Sequence, residues 1–385
     1  MTLTRRALPW CFAALAIACA GSQPETKQPA PAPSPRGQGR HGQPSQSGVP
    51  EPGQYASPDN PWPVKTRYVV DLWLHGFAMI SDDTSRVPIF RRGYRDEMVV
   101  EKNKMQLVTL LDTDHDSLAR YADAHPYIAG AQFAVLAEHN WDAMYRDIQV
   151  FLLSGGDPRK VKAQDDAQVV KAWFQIFPGA SDRKWLKMFA TALNDEHLKF
   201  YERYWNRVEL ARRPVLSAVD SAWTKIYLKQ FRRFQQGADL EYGDIYLSLP
   251  LGAEGRTILG GKRQNVVAVI YPDSAPHAAE AVFVVAHEMV GTVAERAVGD
   301  NTTPNEKKSG LAGQYLNAAT VRGGALVIER AAPAQLTAYE AFYLRAAGIA
   351  YAPGQEALAF RQAFPLPDVI MAELKQALDA ATTGI

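Results

Sequence analysis

From Tyr68 to about Gln236, apolar residues recur every three or four positions, the period of a helix that buries one face. Trp185, Phe189, Leu193, Phe200, Tyr204 and Trp205 form one such stripe. Pro178-Gly179 is a stop signal, and Ser181-Asp182 supplies the short polar side chains that begin a helix. Pro214 interrupts this run or begins another helix, which continues through Trp223, Tyr227 and Phe231 to Gly237. Aromatic stripes at this spacing are packing surfaces, so 66–237 reads as a helical region. Around Gly243 the pattern changes. Asp244 to Leu249 reads as a strand, Gly252 to Gly261 as a hairpin-like connection, and Asn265 to Tyr271 as a buried strand rich in β-branched residues. A helix from Pro276 to Arg296 follows, apolar through Ala281–Ala286. The expected fold class is α+β: a mainly helical body with a small β-sheet packed on that helix, the region 238–385 forming one body with the helices before it.

The N-terminus has a different pattern. Arg5 and Arg6 precede an apolar run, Leu8 to Ala18, that is short for a bilayer span. Small residues follow, which is the layout of a secretory signal over 1–20. Ala16-Ile17-Ala18 before Cys19 resembles a bacterial lipobox, which implies a lipid on Cys19 and attachment to a membrane of the cell envelope. The same three residues also form an A-x-A site for ordinary cleavage. Residues 21–65 hold eleven of the 25 prolines and almost no large aliphatic side chain. That composition buries too little apolar surface to offset its ordering entropy, so the segment reads as a disordered spacer.

Cysteine content agrees with export. The chain has two cysteines, Cys11 and Cys19, both within the N-terminal signal region, so the remainder has no disulfide to form. Charge excludes another class. The 42 basic and 41 acidic side chains leave no excess for a nucleic-acid surface. No G-x-S-x-G elbow supports serine catalysis.

One constellation carries chemistry. The Pro276–Arg296 helix holds Val284-Val285-Ala286-His287-Glu288-Met289-Val290-Gly291. A histidine and a glutamate within a buried stretch are costly without partners. Two strands, a loop and a helix bearing His-Glu resemble the core of the zincin metallopeptidases, the gluzincin branch in particular. The resemblance implies that His287 stands at the first zinc ligand and Glu288 at the general base that activates a metal-bound water. It also implies a second histidine at residue 291, where this chain has Gly291. The third ligand, a glutamate on a later helix, corresponds to Gly323 in Arg322-Gly323-Gly324-Ala325-Leu326-Val327-Ile328-Glu329. Glu329 is the nearest carboxylate left to bind a metal there. Glu288, Thr292 and Glu295 share one helix face and read as a polar surface. His75 and His197 are distant histidines that folding could bring to His287, and Arg322 or Arg330 could pair with Glu288.

The expected function is an exported, lipid-anchored envelope protein whose degenerate zincin-like site serves a scaffold or a partner-binding role, with a peptide, glycan or envelope protein as partner. No cofactor is expected. The alternative is an active metal-dependent peptidase or hydrolase that holds zinc through non-standard ligands. A purely structural envelope lipoprotein is the third reading.

Overall fold

Strand β1 (Val64–Thr66) opens the regular structure. Just before it, the indole of Trp62 is fully buried and donates to the carbonyl of Leu240 at 3.1 Å. The computed structural model describes residues 57, 59–82 and 85–383; the expected signal, Cys19 and most of the spacer lie outside the described residues. The spacer boundary expected at residue 65 is corrected: 61–65 belong to the folded body. The proline count masked this, because a single tryptophan with a pocket outweighs its neighbours' composition.

Helix α1 (Tyr68–Ile80) follows, buried on nearly every side. Such a helix is central rather than amphipathic. Gly76 lets it approach a neighbour closely: a Cβ there would lie 2.8 Å from the ring of Phe189. Trp73 and Phe77 meet that ring with centroids 5.1 and 4.9 Å away. After α2 (Tyr94–Lys104) and a series of further helical segments, a long helical run extends from Ala180 to Gly237. It comprises α3 (Ala180–Glu196), a π turn (His197–Tyr201), α4 (Glu202–Ala222), a second π turn (Trp223–Tyr227) and α5 (Leu228–Gly237). Pro214 sits inside α4 and does not end it. The stripe expected from Trp185 to Trp205 thus runs through a π turn, which re-aims the residues after it.

The sheet has four strands in the order β1-β2-β4-β3. β2 (Gly243–Ser248) is parallel to both neighbours, and β3 (Arg256–Leu259) is an antiparallel edge on β4 (Asn265–Ile270). β2 is buried along its length, as a parallel strand covered on both faces must be. Ile245, Val267 and Thr257 stand in one row across the sheet. β1 and β2 are neighbours although the whole helical region separates them in sequence, so the helical and α+β regions share one sheet. The mainly helical α+β class read from the sequence is the observed one.

Helix α6 (Ala279–Met289) packs on β4, and α7 (Gly291–Asp300), α8 (Leu311–Ala331), α9 (Leu336–Ala346) and α10 (Asp368–Thr383) pack around it and on α5. Asp71 of α1 ties the helical layer to the sheet. Its carboxyl accepts from Ser248 Oγ at 2.5 Å, the Leu249 amide at 2.9 Å and the Trp205 indole at 2.5 Å. No helix among the described residues is long and apolar enough to cross a membrane.

Candidate functional site

His287 and Glu288 lie at the end of α6, with 7% and 11% of their side chains exposed. A carboxylate so enclosed needs donors, and Glu288 finds them on the sheet edge. Oε1 accepts from the Gly255 amide at 2.7 Å, and Oε2 accepts from the Thr257 hydroxyl at 2.5 Å. Nδ1 of His287 completes the set at 3.0 Å from Oε1. Burial pushes the Glu288 carboxyl up, but the bonds from His287, Thr257 and Gly255 outweigh it and hold the group below its ordinary range. The approach is possible because residue 255 is glycine. A Cβ there would stand 2.5 Å from the Ala268 carbonyl and 2.8 Å from Cγ of Glu288.

With Nδ1–H donated to Glu288, the free nitrogen of His287 is Nε2, which makes no hydrogen bond within the described residues. The ring stacks on Tyr343 of α9 at 5.6 Å, and the Tyr343 hydroxyl donates to the Ala253 carbonyl at 3.2 Å. The loop before β3 is thus fastened from two directions. Arg256, in the next position, faces the opposite side. It donates to Gln132 at 2.7 Å, pairs with Glu254 at 2.8 Å and lies 5.3 Å from the Phe133 ring. The 3-10 segment Pro126–Ala137 therefore covers the start of the edge strand.

The spacing argument for a ligand at residue 291 presumes a continuous helix, and the helix does not continue. α6 ends at Met289, Val290 is a turn, and Gly291 is the first residue of α7. Residue 291 is not placed one regular turn beyond His287. Nothing lies within 4 Å of a Cβ built on Gly291, so crowding does not require glycine there. The Gly323-Gly324 pair of α8 is different. A Cβ on Gly323 would press on Val290, and one on Gly324 would meet the Tyr339 hydroxyl at 2.2 Å and Cα of His287 at 3.2 Å. This pair lets α8 pack closely against the end of α6. Glu329, further along α8, is exposed, while the segment before it is buried.

Arg322 and Arg330, the expected partners of Glu288, bond elsewhere: Arg322 to the Phe364 carbonyl and Arg330 to Asp379. The two distant histidines stay in the helical layer. His197 bonds the Tyr68 hydroxyl at 2.8 Å. His75 belongs to a second buried cluster that the sequence reading did not assemble. Its Nε2–H donates to Glu196 at 3.0 Å, and its Nδ1 accepts from Tyr94 at 3.0 Å. The Tyr201 hydroxyl lies 3.1 Å from that of Tyr94, and its ring stacks on His75 at 4.1 Å. Glu196 also accepts from Thr109 and pairs with the Lys102 ammonium at 3.1 Å, and Lys102 reaches Asp112 at 2.5 Å. Burial lowers His75 and favours its neutral form. Burial also pushes Glu196 up, but His75, Lys102 and Thr109 prevail and keep it ionised. The one sequence signal for this cluster was charge inside apolar stripes: Lys102, Glu196 and His75 stand on helices with buried neighbours.

Among the described residues, no group of three or more His, Cys, Asp or Glu side chains is arranged to hold a metal ion. Comparison with known protein families, curated proteins and solved structures finds no match to this chain.

Proposed function

We propose that this chain is an exported, lipid-anchored protein of the bacterial cell envelope, in which a zincin-like His-Glu helix fastens helix to sheet and serves a scaffold or partner-binding role instead of hydrolysis. The carrying observation is that the chain itself occupies both oxygens of Glu288, through the Gly255 amide, His287 Nδ1 and the Thr257 hydroxyl. A general base must have a lone pair free for the proton it takes. Three of the roughly four lone-pair sites of Glu288 are taken by donors of the chain itself, so service as a base competes with the bonds that hold the edge strand. The ligand positions agree: residues 291 and 323 are glycines, and Glu329 is exposed. A catalytic zinc takes three protein ligands and one open position. His287 provides one.

In this reading the membrane is reached through lipid on Cys19, and the partner is a peptide, a glycan or an envelope protein. Mass spectrometry of the native N-terminal peptide tests the anchor; an unmodified peptide starting elsewhere, or a Cys19→Ala protein still bound to membrane, refutes it.

The competing reading keeps Glu288 as base and gives zinc to His287 and Glu329. Its favouring observation is the unbonded Nε2 of His287. Elemental analysis of metal-stripped protein re-equilibrated with zinc, together with a broad peptide-cleavage screen, separates the two. The scaffold reading expects no stoichiometric zinc and no cleavage. One zinc per chain, with cleavage lost in both His287→Ala and Glu288→Gln, would overturn it.

A further inference from the structure

Five exposed large hydrophobic side chains gather in twelve residues: Val99, Val100, Met105, Val108 and Leu110, with Val108 65% exposed. They lie on the second half of α2 and the chain just after it. This stretch borders a cavity of about 210 Å³. Its apolar wall is Met79, Val99, Leu107, Val108 and Leu111, and its polar lining includes Arg95, Lys102, Asp112 and His115.

The polar groups differ in how fully they are engaged. The Lys102 ammonium, 2% exposed, is neutralised by Asp112 and Glu196. Asp112 is in turn held by Lys102 and by the Thr109 amide and hydroxyl, so it offers no free negative charge. Arg95 is only loosely engaged. Among the described residues its ion pair is a 3.9 Å approach to Asp82, itself 89% exposed. His115 donates Nδ1–H to Asp116 at 2.9 Å, while its buried Nε2 has no partner. Arg95 and His115 line the same cavity.

We propose that this cavity binds a small carboxylate with a compact apolar body, the carboxylate on the Arg95 guanidinium and the body against Val99, Leu107, Val108 and Leu111. Size fits: an apolar cavity of about 150 Å³ holds benzene, so this one holds one ring with a head group. Charge fits as well. The uncommitted charge in the lining is Arg95, which attracts a carboxylate and repels an ammonium. The site is separate from the His287–Glu288 helix and stands or falls independently of that pair's role.

The test is fluorine NMR titration of the purified full chain with three probes of one shape: 4-fluorobenzoate, 4-fluorobenzyl alcohol and 4-fluorobenzylamine. Saturable binding of 4-fluorobenzoate is expected, with a Kd of about 1 mM or tighter. Arg95→Gln should weaken it about tenfold. Val108→Trp, which fills the mouth from an exposed position, should abolish it, with the fold of both variants checked by circular dichroism. The alcohol should bind at least about tenfold more weakly, and the amine should not compete. Absence of saturable 4-fluorobenzoate binding, equal binding of the alcohol, or affinity unchanged in Val108→Trp would each overturn the proposal; the last keeps it falsifiable if Arg95→Gln does not fold.

Discussion

Among the described residues are two buried histidine–glutamate pairs, built in different ways. His75 and Glu196 are 121 residues apart, fully buried, and joined to a cation, Lys102. His287 and Glu288 are neighbours in sequence, reach the surface slightly, and depend on neutral donors: a backbone amide and a hydroxyl. In both pairs burial would protonate the glutamate, and in both the partners keep it ionised. A carboxylate can thus be kept charged inside a fold by an opposite charge or by well-placed dipoles. The first arrangement is the more brittle. Removing its acid takes one of two carboxylates from a buried ammonium and the acceptor from His75 and Thr109, whereas removing the second acid leaves an amide and a hydroxyl short of an acceptor.

The largest expected effect follows from that asymmetry. Glu196→Ala should cost about 3–5 kcal/mol in a urea titration, because His75 and Thr109 lose a buried acceptor and Lys102 loses one of its two carboxylates. An equal loss for Glu196→Ala and Glu288→Ala would erase the distinction between the pairs.

Asp71 sharpens the comparison through pH. It too is held by neutral donors, Ser248, Trp205 and the Leu249 amide, yet it is fully buried, and burial outweighs them, raising its carboxyl from 3.8 to about 7. Between those values the folded state keeps a proton that the unfolded chain has lost. Asp71 therefore contributes stability at acid pH that is lost as pH rises toward 7, by at most about 1.4 kcal/mol per pH unit. Asp71→Asn should remove that slope, measured as unfolding free energy from pH 4 to 7. An unchanged slope would mean that the three donors hold the group ionised, as they do for Glu288.

Glu288→Gln should cost about 1–3 kcal/mol, since one of its two acceptors becomes a donor facing an N–H or a hydroxyl. Its sign with pH is opposite to that of Asp71. The folded carboxyl is depressed, so its contribution is present above the ordinary glutamate range near 4.5 and fades as pH falls through the folded value. The gap between wild type and Glu288→Gln should therefore close in acid.

The smallest effect belongs to Gly291. Its backbone is not left-handed and a Cβ meets nothing, so Gly291→Ala should be neutral or stabilise by up to about 1 kcal/mol in thermal unfolding. Gly324→Ala, crowded by Tyr339 and α6, should destabilise instead. A loss at Gly291 as large as that at Gly324 would show that residue 291 has a packing role the geometry does not give it.

The chain's own pattern determined much of this. Helical periodicity marked α3 to α5, the Asp244–Leu249 pattern marked β2 and a β-branched run marked β4, and the position of His287-Glu288 on a helix after the second of those strands was legible without coordinates. These features depend on residues close together in sequence, where period and propensity act directly. Other features were decided by tertiary structure. The pairing of β1 with β2 and the burial of Trp62 join segments far apart in sequence that share no local pattern. The break at Val290 overrides a helical reading that ran on to Arg296. The partners of Glu288 turned out to be a glycine amide and a threonine instead of an arginine, and His75 found Glu196 instead of His287. A lone polar residue in an apolar stretch reveals only that it needs a partner. Which partner it receives depends on which distant donors the packed helices and strands bring within about 3 Å, and that distance exists only once the chain has folded.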